Sequence, residues 1–359
     1  MKIKEKCSTY WEDYLMKKTR VAINGFGRIG RMVFRQAILD ENIDVVAINA
    51  SYPEETLTHL IKYDTVHGIF ECDIEIVEDG FLINNQKILH VNSREPEKLP
   101  WKENDIDIVI EATGKFNSYE GASRHLEAGA KKVIITAPGT EVDNTIVLGV
   151  NEETYNPETD HVISNASCTT NCLAPVAKVI DENFTIENGL MTTVHAYTSD
   201  QQSLDNPHKD LRRARACAQS IIPTSTGAAK ALGEVLPHLN GKLHGMALRV
   251  PTPNVSLVDL VVDVEKDVTE EQVNEAFKSA AAGSLKGIVK YSEEPLVSID
   301  YATTSESATI DGLTTMVMGE NKVKVLAWYD NEWGYSARVV DLANFVGASL
   351  SKIKEKTHA

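Results

Sequence analysis

The chain has 359 residues, 42% of them hydrophobic and 25% charged, and a formal net charge of −16. That length favours two domains, the balance excludes a disordered or fibrous chain, and the negative charge disfavours a nucleic-acid partner. No apolar run reaches the roughly 18 residues of a membrane span, and five cysteines, an odd number, suit a reducing cytoplasm better than a disulfide framework.

Residues 1–18 carry no hydrophobic periodicity and read as an extension, with Met16 as an alternative start. The lysines near Met1 are followed by no apolar stretch, so no secretory signal is expected. Val21-Ala22-Ile23 is a short apolar strand, Gly25 to Gly30 is glycine-rich, and Met32 to Leu39 has helical spacing. Asp44 to Asn49, Ile106 to Glu111, Lys132 to Thr136 and Thr145 to Val150 read as further strands, with a helix over Tyr119 to Ala130. Strands alternating with helices predict a doubly wound α/β domain of Rossmann type over 19–167. Residues 168–331 differ. Asn254 to Val264 and Lys322 to Trp328 are β-rich without a regular helix between strands, which predicts an α+β domain with a largely antiparallel or mixed sheet. Thr269 to Ala282 is a helix with an acidic first turn, and the helical pattern Ser336 to Lys352 is expected to bring 332–359 back onto the first domain.

Gly25-Phe26-Gly27-Arg28-Ile29-Gly30 follows a strand and opens a helix, the context in which GxGxxG binds a dinucleotide. The first glycine allows the turn, the second lets backbone approach a pyrophosphate, and the third permits close helix–strand packing. The helix start then offers free N–H groups to the phosphates. The fingerprint calls for a carboxylate about 20 residues on, to bond the adenosine ribose. The second strand ends instead in Asn49-Ala50-Ser51, which permits NADP and weakens the case for strict NAD use.

Ser164 to Cys172 (SNASCTTNC) follows the last parallel strand at a helix start, where dipole and N–H groups stabilise the Cys168 thiolate. Pro175 predicts a kink early in that helix. Cys172 is expected to be a buried small residue, because the pair lacks the further ligands a metal needs. His195 ends a strand-like run and is a candidate acid or base, although spacing alone leaves a structural histidine equally open. Lys209, Arg212, Arg213 and Arg215 form a local cationic cluster that suits an anionic small substrate or a solvated face.

Together SNASCTTNCLAP, HAYTSDQ, PHKDLRRARA, IIPTSTGAAKA, LRVPTPNVSLVDL and WYDNEWGYS resemble the glyceraldehyde-3-phosphate dehydrogenases, in the family's order from about Lys18 to the C-terminal helix. The resemblance implies that Cys168 attacks the aldehyde of glyceraldehyde 3-phosphate while His195 takes the proton, and that inorganic phosphate discharges a thioester to an acyl phosphate. It implies that Thr198 and Arg249 hold the substrate phosphate, and that Ser167, Thr169, Arg213, Thr226 and Gly227 hold the attacking one. Asn24, Arg28, Ile29, Thr113 and Thr136 match the dinucleotide pocket, Asn331 the residue that fixes the nicotinamide carboxamide, and Tyr335 its neighbour. NAD-preferring members carry Asp where this chain has Ala50 and Leu-Pro where it has Asn206-Pro207. The chain is thus similar to bacterial members that prefer NADP and run in the biosynthetic direction, with Ser51 as a 2′-phosphate donor. A homotetramer is implied by the family alone. Erythrose-4-phosphate dehydrogenase shares the cysteine–histidine apparatus but needs no phosphate. A non-catalytic scaffold role on the same fold would not require Cys168.

Overall fold

The structure, a computed structural model, describes the backbone of residues 18–358 and the side chains of 18–350. The expectations for an extension over 1–18 and a start at Met16 fall, but for Lys18, outside the described residues.

Among the described residues the chain builds two large sheets. In spatial order the first runs Asn144–Thr145, Val162–Ser164, Lys132–Ile135, Ile108–Glu111, Thr19–Asn24, Ile43–Asn49 and Gln86–Val91, all parallel, and ends in an antiparallel hairpin of Gly80–Ile83 and Ile74–Val77. The parallel strands are continuous apolar runs because both faces are covered: Val21, Ile23, Val45, Ile48, Ile108, Ile110, Val133 and Ile134 are fully buried. The chain winds outward from Thr19–Asn24 in one direction and then from Ile108–Glu111 in the other. Between those two strands lies the switch point, where an open α/β sheet forms its binding crevice.

The second sheet runs Ile222–Thr224, Leu243–Val250, Ile186–Ala196, Ser256–Val264, Lys322–Tyr329, Ala308–Asp311 and Val289–Ser292, and it is mixed. Strict alternation of burial along Ser256–Val264 marks one covered face. Helices Cys168–Phe184, Ala228–Val235 and Glu270–Ala282 contribute Leu173, Val176, Ile180, Leu232 and Phe277 to the core on that face. Thr269 caps the last of these with Gln272 in a reciprocal capping box.

The C-terminal helix Trp333–His358 lays Tyr335, Val339, Leu342 and Val346 into the core of the first sheet. Gly347 allows this approach, since a Cβ there would lie 2.0 Å from Thr19 Oγ1. Residues on both sides of the helical pattern therefore belong to a longer helix than Ser336 to Lys352.

Three elements differ from the sequence expectation. The strand expected over Thr145 to Val150 stops at Thr145, because the Asn151 side chain accepts from Val147 N (2.9 Å) and donates to Thr145 O (2.9 Å), capturing groups a ladder would use. The first helix starts at Arg28, ahead of the helical spacing from Met32 and inside the glycine fingerprint expected to open it. The antiparallel strands over 74–91 give only a local signal: Asn84 and Asn85, which join Gly80–Ile83 to Gln86–Val91, both take positive φ (48° and 66°), the conformation of a tight hairpin turn.

Gly30 sits where the first helix crosses the first strand, and a Cβ there would lie 2.1 Å from Gly25 O, a backbone atom. Gly30→Ala is expected to cost about 2 kcal/mol, read as a lower urea midpoint. An unchanged midpoint would show that the helix can shift without penalty.

Candidate active site

A cavity of about 980 Å³ extends from the switch point to the edge of the second sheet. Gly27, Arg28, Ile29, Thr113, Thr136, Ser167, Cys168, His195, Thr198, Arg213, Arg249, Asn331 and Tyr335 line it. A neighbouring cavity of about 390 Å³ shares Gly27 and Thr113 and adds Asn24, Gly25, Ala50 and Ser51. Thr169, Thr226 and Gly227 are not among the lining residues. Thr169 bonds Tyr329 Oη at 2.9 Å, and Thr226 Oγ1 accepts from Ala228 N (3.2 Å) at the start of the Ala228–Val235 helix.

Cys168 owes its position to a three-residue joint. The strand Val162–Ser164 ends, Asn165, Ala166 and Ser167 turn the chain, and Cys168 is the first residue of the next helix. Ala166 takes φ 53°, which costs an L-residue roughly 1 kcal/mol. The joint is held from three sides. Tyr335 Oη donates to Ala166 O (2.9 Å), Asn171 Nδ2 donates to Asn165 O (2.8 Å) and Ser167 O (3.1 Å), and Ser167 Oγ caps Thr170 N (3.0 Å). Cys172, one turn on, is fully buried, and the helix continues through Pro175.

His195 arrives from the second sheet. Met191, Thr193 and His195 alternate toward the buried side of Ile186–Ala196, and the parallel register sets His195 opposite Arg249. Cys168 Sγ lies 3.5 Å from His195 Nε2. His195 Nδ1 is 2.6 Å from Ala196 O, and Arg249 Nη1 donates to the same oxygen at 2.9 Å. A proton on Nδ1 donates to that carbonyl and leaves Nε2 as the acceptor facing sulfur. The Tyr329 ring meets the imidazole edge-on, its hydroxyl shared between Thr169 and Thr193 (2.9 and 2.8 Å).

Burial, and then the charge of Arg249, push the His195 imidazole down to about 3, so it stays an unprotonated acceptor above that pH. Desolvation pushes the Cys168 thiol up, against the pull of Arg249 and the N–H groups of the helix start. The pair therefore holds one proton, which Nε2 can take as the sulfur attacks an electrophile.

The arginines differ in their company. Arg249 reaches Ala196 O and Thr198 Oγ1 (3.4 Å), its buried Nε has no partner, and it forms no ion pair among the described residues. Arg213 is ion-paired with Asp200. Of the cationic cluster only Arg213 lines the cavity; Arg215 pairs with Asp205 at 2.9 Å, and Arg212 faces solvent. Arg28 is clamped between Asp64 and Glu332, so its guanidinium is already neutralised.

On the nucleotide side, Arg31, Arg94 and Lys115 line the smaller cavity with Ala50 and Ser51, and no carboxylate does. Glu111 lies beneath, 1% exposed, accepting from Asn24 Nδ2, Thr113 N (2.8 Å), Thr113 Oγ1 and His125 Nε2 (3.1 Å). Asn206-Pro207 do not line this cavity; Asn206 N bonds Ala214 O within the 198–220 segment. Arg31, Arg94, Lys115, Asp200 and Tyr329 were missed in the sequence, since they come from separate segments that only the fold assembles.

Two family descriptions match the chain: the glyceraldehyde 3-phosphate dehydrogenase NAD binding domain over residues 19–119 and the C-terminal domain over 167–331. The chain is 69% identical over 333 residues to glyceraldehyde-3-phosphate dehydrogenase 2 of Bacillus subtilis (strain 168), covering 93% of this chain and 98% of that protein. It is 62% identical to the Staphylococcus aureus (strain MRSA252) protein of the same name, covering 93% and 97%. It is 61% identical to that of Staphylococcus epidermidis, covering 92% and 96%.

Iodoacetamide is expected to alkylate Cys168 and spare buried Cys172, and His195→Asn is expected to slow the reaction at neutral pH by at least about tenfold. Peptide mapping reads the site. An undiminished rate in the variant would mean that the imidazole does not assist the sulfur.

Proposed function

From the premise that the chain belongs to the glyceraldehyde-3-phosphate dehydrogenase family, we propose that the cavity carries out phosphorylating oxidation of glyceraldehyde 3-phosphate with NADP as the preferred cofactor. The observation that carries this reading is the Cys168–His195 pair, set at 3.5 Å between a dinucleotide crevice and two arginines.

The crevice fits a nicotinamide dinucleotide. A Cβ at Gly27 would meet nothing within 4 Å, so the backbone at the helix start faces open space, and Arg31 Nε is buried without a partner. Asn24, Gly25, Gly27, the Arg28 and Ile29 backbone, Thr113 and Thr136 would hold the dinucleotide, with Asn331 and Tyr335 at the nicotinamide end. When bound, the cofactor supplies the hydride acceptor that turns a thiohemiacetal into a thioester.

The chain's own residues do the rest. Cys168 Sγ attacks the aldehyde carbon while His195 Nε2 takes the thiol proton and passes it to the carbonyl oxygen; as the thioester forms, Nε2 takes that hydroxyl proton back. The Cys168 N–H, the first donor of the helix, and the imidazole flank the developing oxyanion; one such donor is worth about 3 kcal/mol. Arg249 and Thr198 bind the substrate phosphate, Arg249 with its full charge available. Arg213 and Ser167, with Thr169, Thr226 and Gly227 on the adjoining segments, receive the inorganic phosphate that attacks the thioester carbonyl and expels the Cys168 sulfur.

NADP preference is supported by the smaller cavity. Ala50 removes the carboxylate that would repel a 2′-phosphate, Ser51 offers a hydroxyl, and Arg31, Arg94 and Lys115 supply the positive charge. The same reading divides the chain into a cofactor domain over 19–167 completed by 332–359 and a catalytic domain over 168–331, and it includes a cytoplasmic homotetramer working in the biosynthetic direction. Exposed Leu190 and Met246, on adjacent strands of the second sheet, support assembly through that face.

Steady-state assays with NADP and NAD, with and without phosphate, test the reading. NADP is expected to give the higher kcat/KM, phosphate is expected to be required, and Ala50→Asp is expected to move the cofactor ratio toward NAD by about tenfold. Equal kcat/KM for the two cofactors would sink the NADP assignment, and turnover independent of phosphate would sink the acyl-phosphate step.

A further inference from the structure

We propose that Asp200 is an internal counter-ion of Arg213, a positioning residue that competes with inorganic phosphate for that guanidinium and so sets the phosphate affinity of the site. This rests on the reading of Arg213 as the arginine that meets the attacking phosphate.

The surroundings of Arg213 divide into a fixed side and an exchangeable one. Arg213 Nε donates to Thr224 Oγ1 (3.0 Å) and Nη2 donates to Ser225 O (3.3 Å), which anchors the fork to one short segment through uncharged oxygens. Asp210 lies 3.7 Å from Nε, but its carboxylate is taken up by the Thr224 hydroxyl (2.6 Å) and Arg212 N (2.9 Å), and it does not line the cavity. Asp200 does line it, together with Arg213, and its Oδ2 takes Nη1 directly. It is therefore the carboxylate that an incoming dianion meets.

Asp200 also has somewhere to go. Its Oδ1 lies 3.5 Å from His208 Nε2, a second partner on the same segment, and its side chain is half exposed. Displacement from Arg213 thus leaves the carboxylate beside the His208 ring and open to solvent, so no charge is stranded in a dry interior. The Arg213 anchors to Thr224 and Ser225 do not depend on Asp200, so the guanidinium stays in place when the carboxylate moves.

Arg249 shows what the counter-ion changes. It forms no ion pair among the described residues and keeps a buried Nε without a partner, so an anion there displaces no carboxylate. An anion at Arg213 displaces a carboxylate. The two anion positions of one cavity are in this way made unequal, firm for the substrate's own phosphate and weak for the phosphate that must enter, react and leave as part of the product.

Steady-state kinetics of the full chain, with phosphate varied at saturating glyceraldehyde 3-phosphate and NADP, test this. Asp200→Asn is expected to lower the phosphate KM by about two- to fivefold, the range of a half-exposed charge pair, with less effect on the KM for glyceraldehyde 3-phosphate. Asp200→Glu is expected to restore the original phosphate KM. A merely structural Asp200 would give the opposite sign, so a raised or unchanged phosphate KM in Asp200→Asn overturns the counter-ion. Arg213→Gln, measured in parallel, is expected to raise the phosphate KM sharply. If it does not, the assignment of Arg213 fails, and the inference with it.

Discussion

The hydrogen bond from Tyr335 Oη to Ala166 O joins the parts on which the rest of the site depends. Tyr335 belongs to the C-terminal helix, whose body is packed into the first sheet. Ala166 is the left-handed residue of the joint where that sheet hands the chain to the helix of Cys168. One contact thereby references Cys168 to the wall of the nucleotide crevice. The strained φ of Ala166 persists because Asn171 and Ser167 saturate the neighbouring groups of the same joint. His195 is fixed independently, by a register that sets it opposite Arg249 and by the Tyr329 edge. Two separately packed parts therefore bring sulfur and imidazole together: the braced joint 165–167 with its helix sets Cys168, and the second sheet sets His195.

Electrostatics divides the cavity by function. The Cys168 end carries positive charge: with burial, Arg249 pushes the imidazole toward its unprotonated form, and it pulls the thiol down against the burial that raises it. Near the cofactor end, Arg28 is neutralised twice, by Asp64 and Glu332, and His67 Nε2 adds a contact to Glu332 at 3.1 Å. That clamp binds the segment after Asn331 to the nucleotide side, so the charges there serve shape. Further along, Ala50 and its three cationic neighbours line the smaller cavity, which no carboxylate lines.

Much of this was legible in the sequence, for reasons that can be named. The parallel strands announce themselves as apolar runs, the fingerprint glycines mark the crevice, and Thr269 to Ala282 carries its own cap. Cys168 and His195 were nominated by residue type and by family motifs, but their meeting was not legible, because it depends on a sheet register set by residues across the second domain. The antiparallel strands over 74–91 are not legible because they are short and the turn into Gln86–Val91 is Asn-Asn. The false strand over Val147 to Val150 is apolar because it is buried, and a single Asn151 side chain decides that it turns. The cationic cluster at 209–215 was only partly informative: Arg213 reaches the cavity, and its neighbours serve other contacts. Polar side chains that intercept backbone groups, and charges gathered from distant segments, are invisible to periodicity.

The central claim is that Cys168 carries the substrate through the oxidation. Mixing the protein with glyceraldehyde 3-phosphate and NADP in the absence of phosphate, quenching in acid and mapping peptides by mass spectrometry tests it directly. The account predicts a 3-phosphoglyceroyl adduct on the Cys168 peptide, discharged when phosphate is added before the quench. An adduct on another residue, or turnover without any adduct, would contradict it.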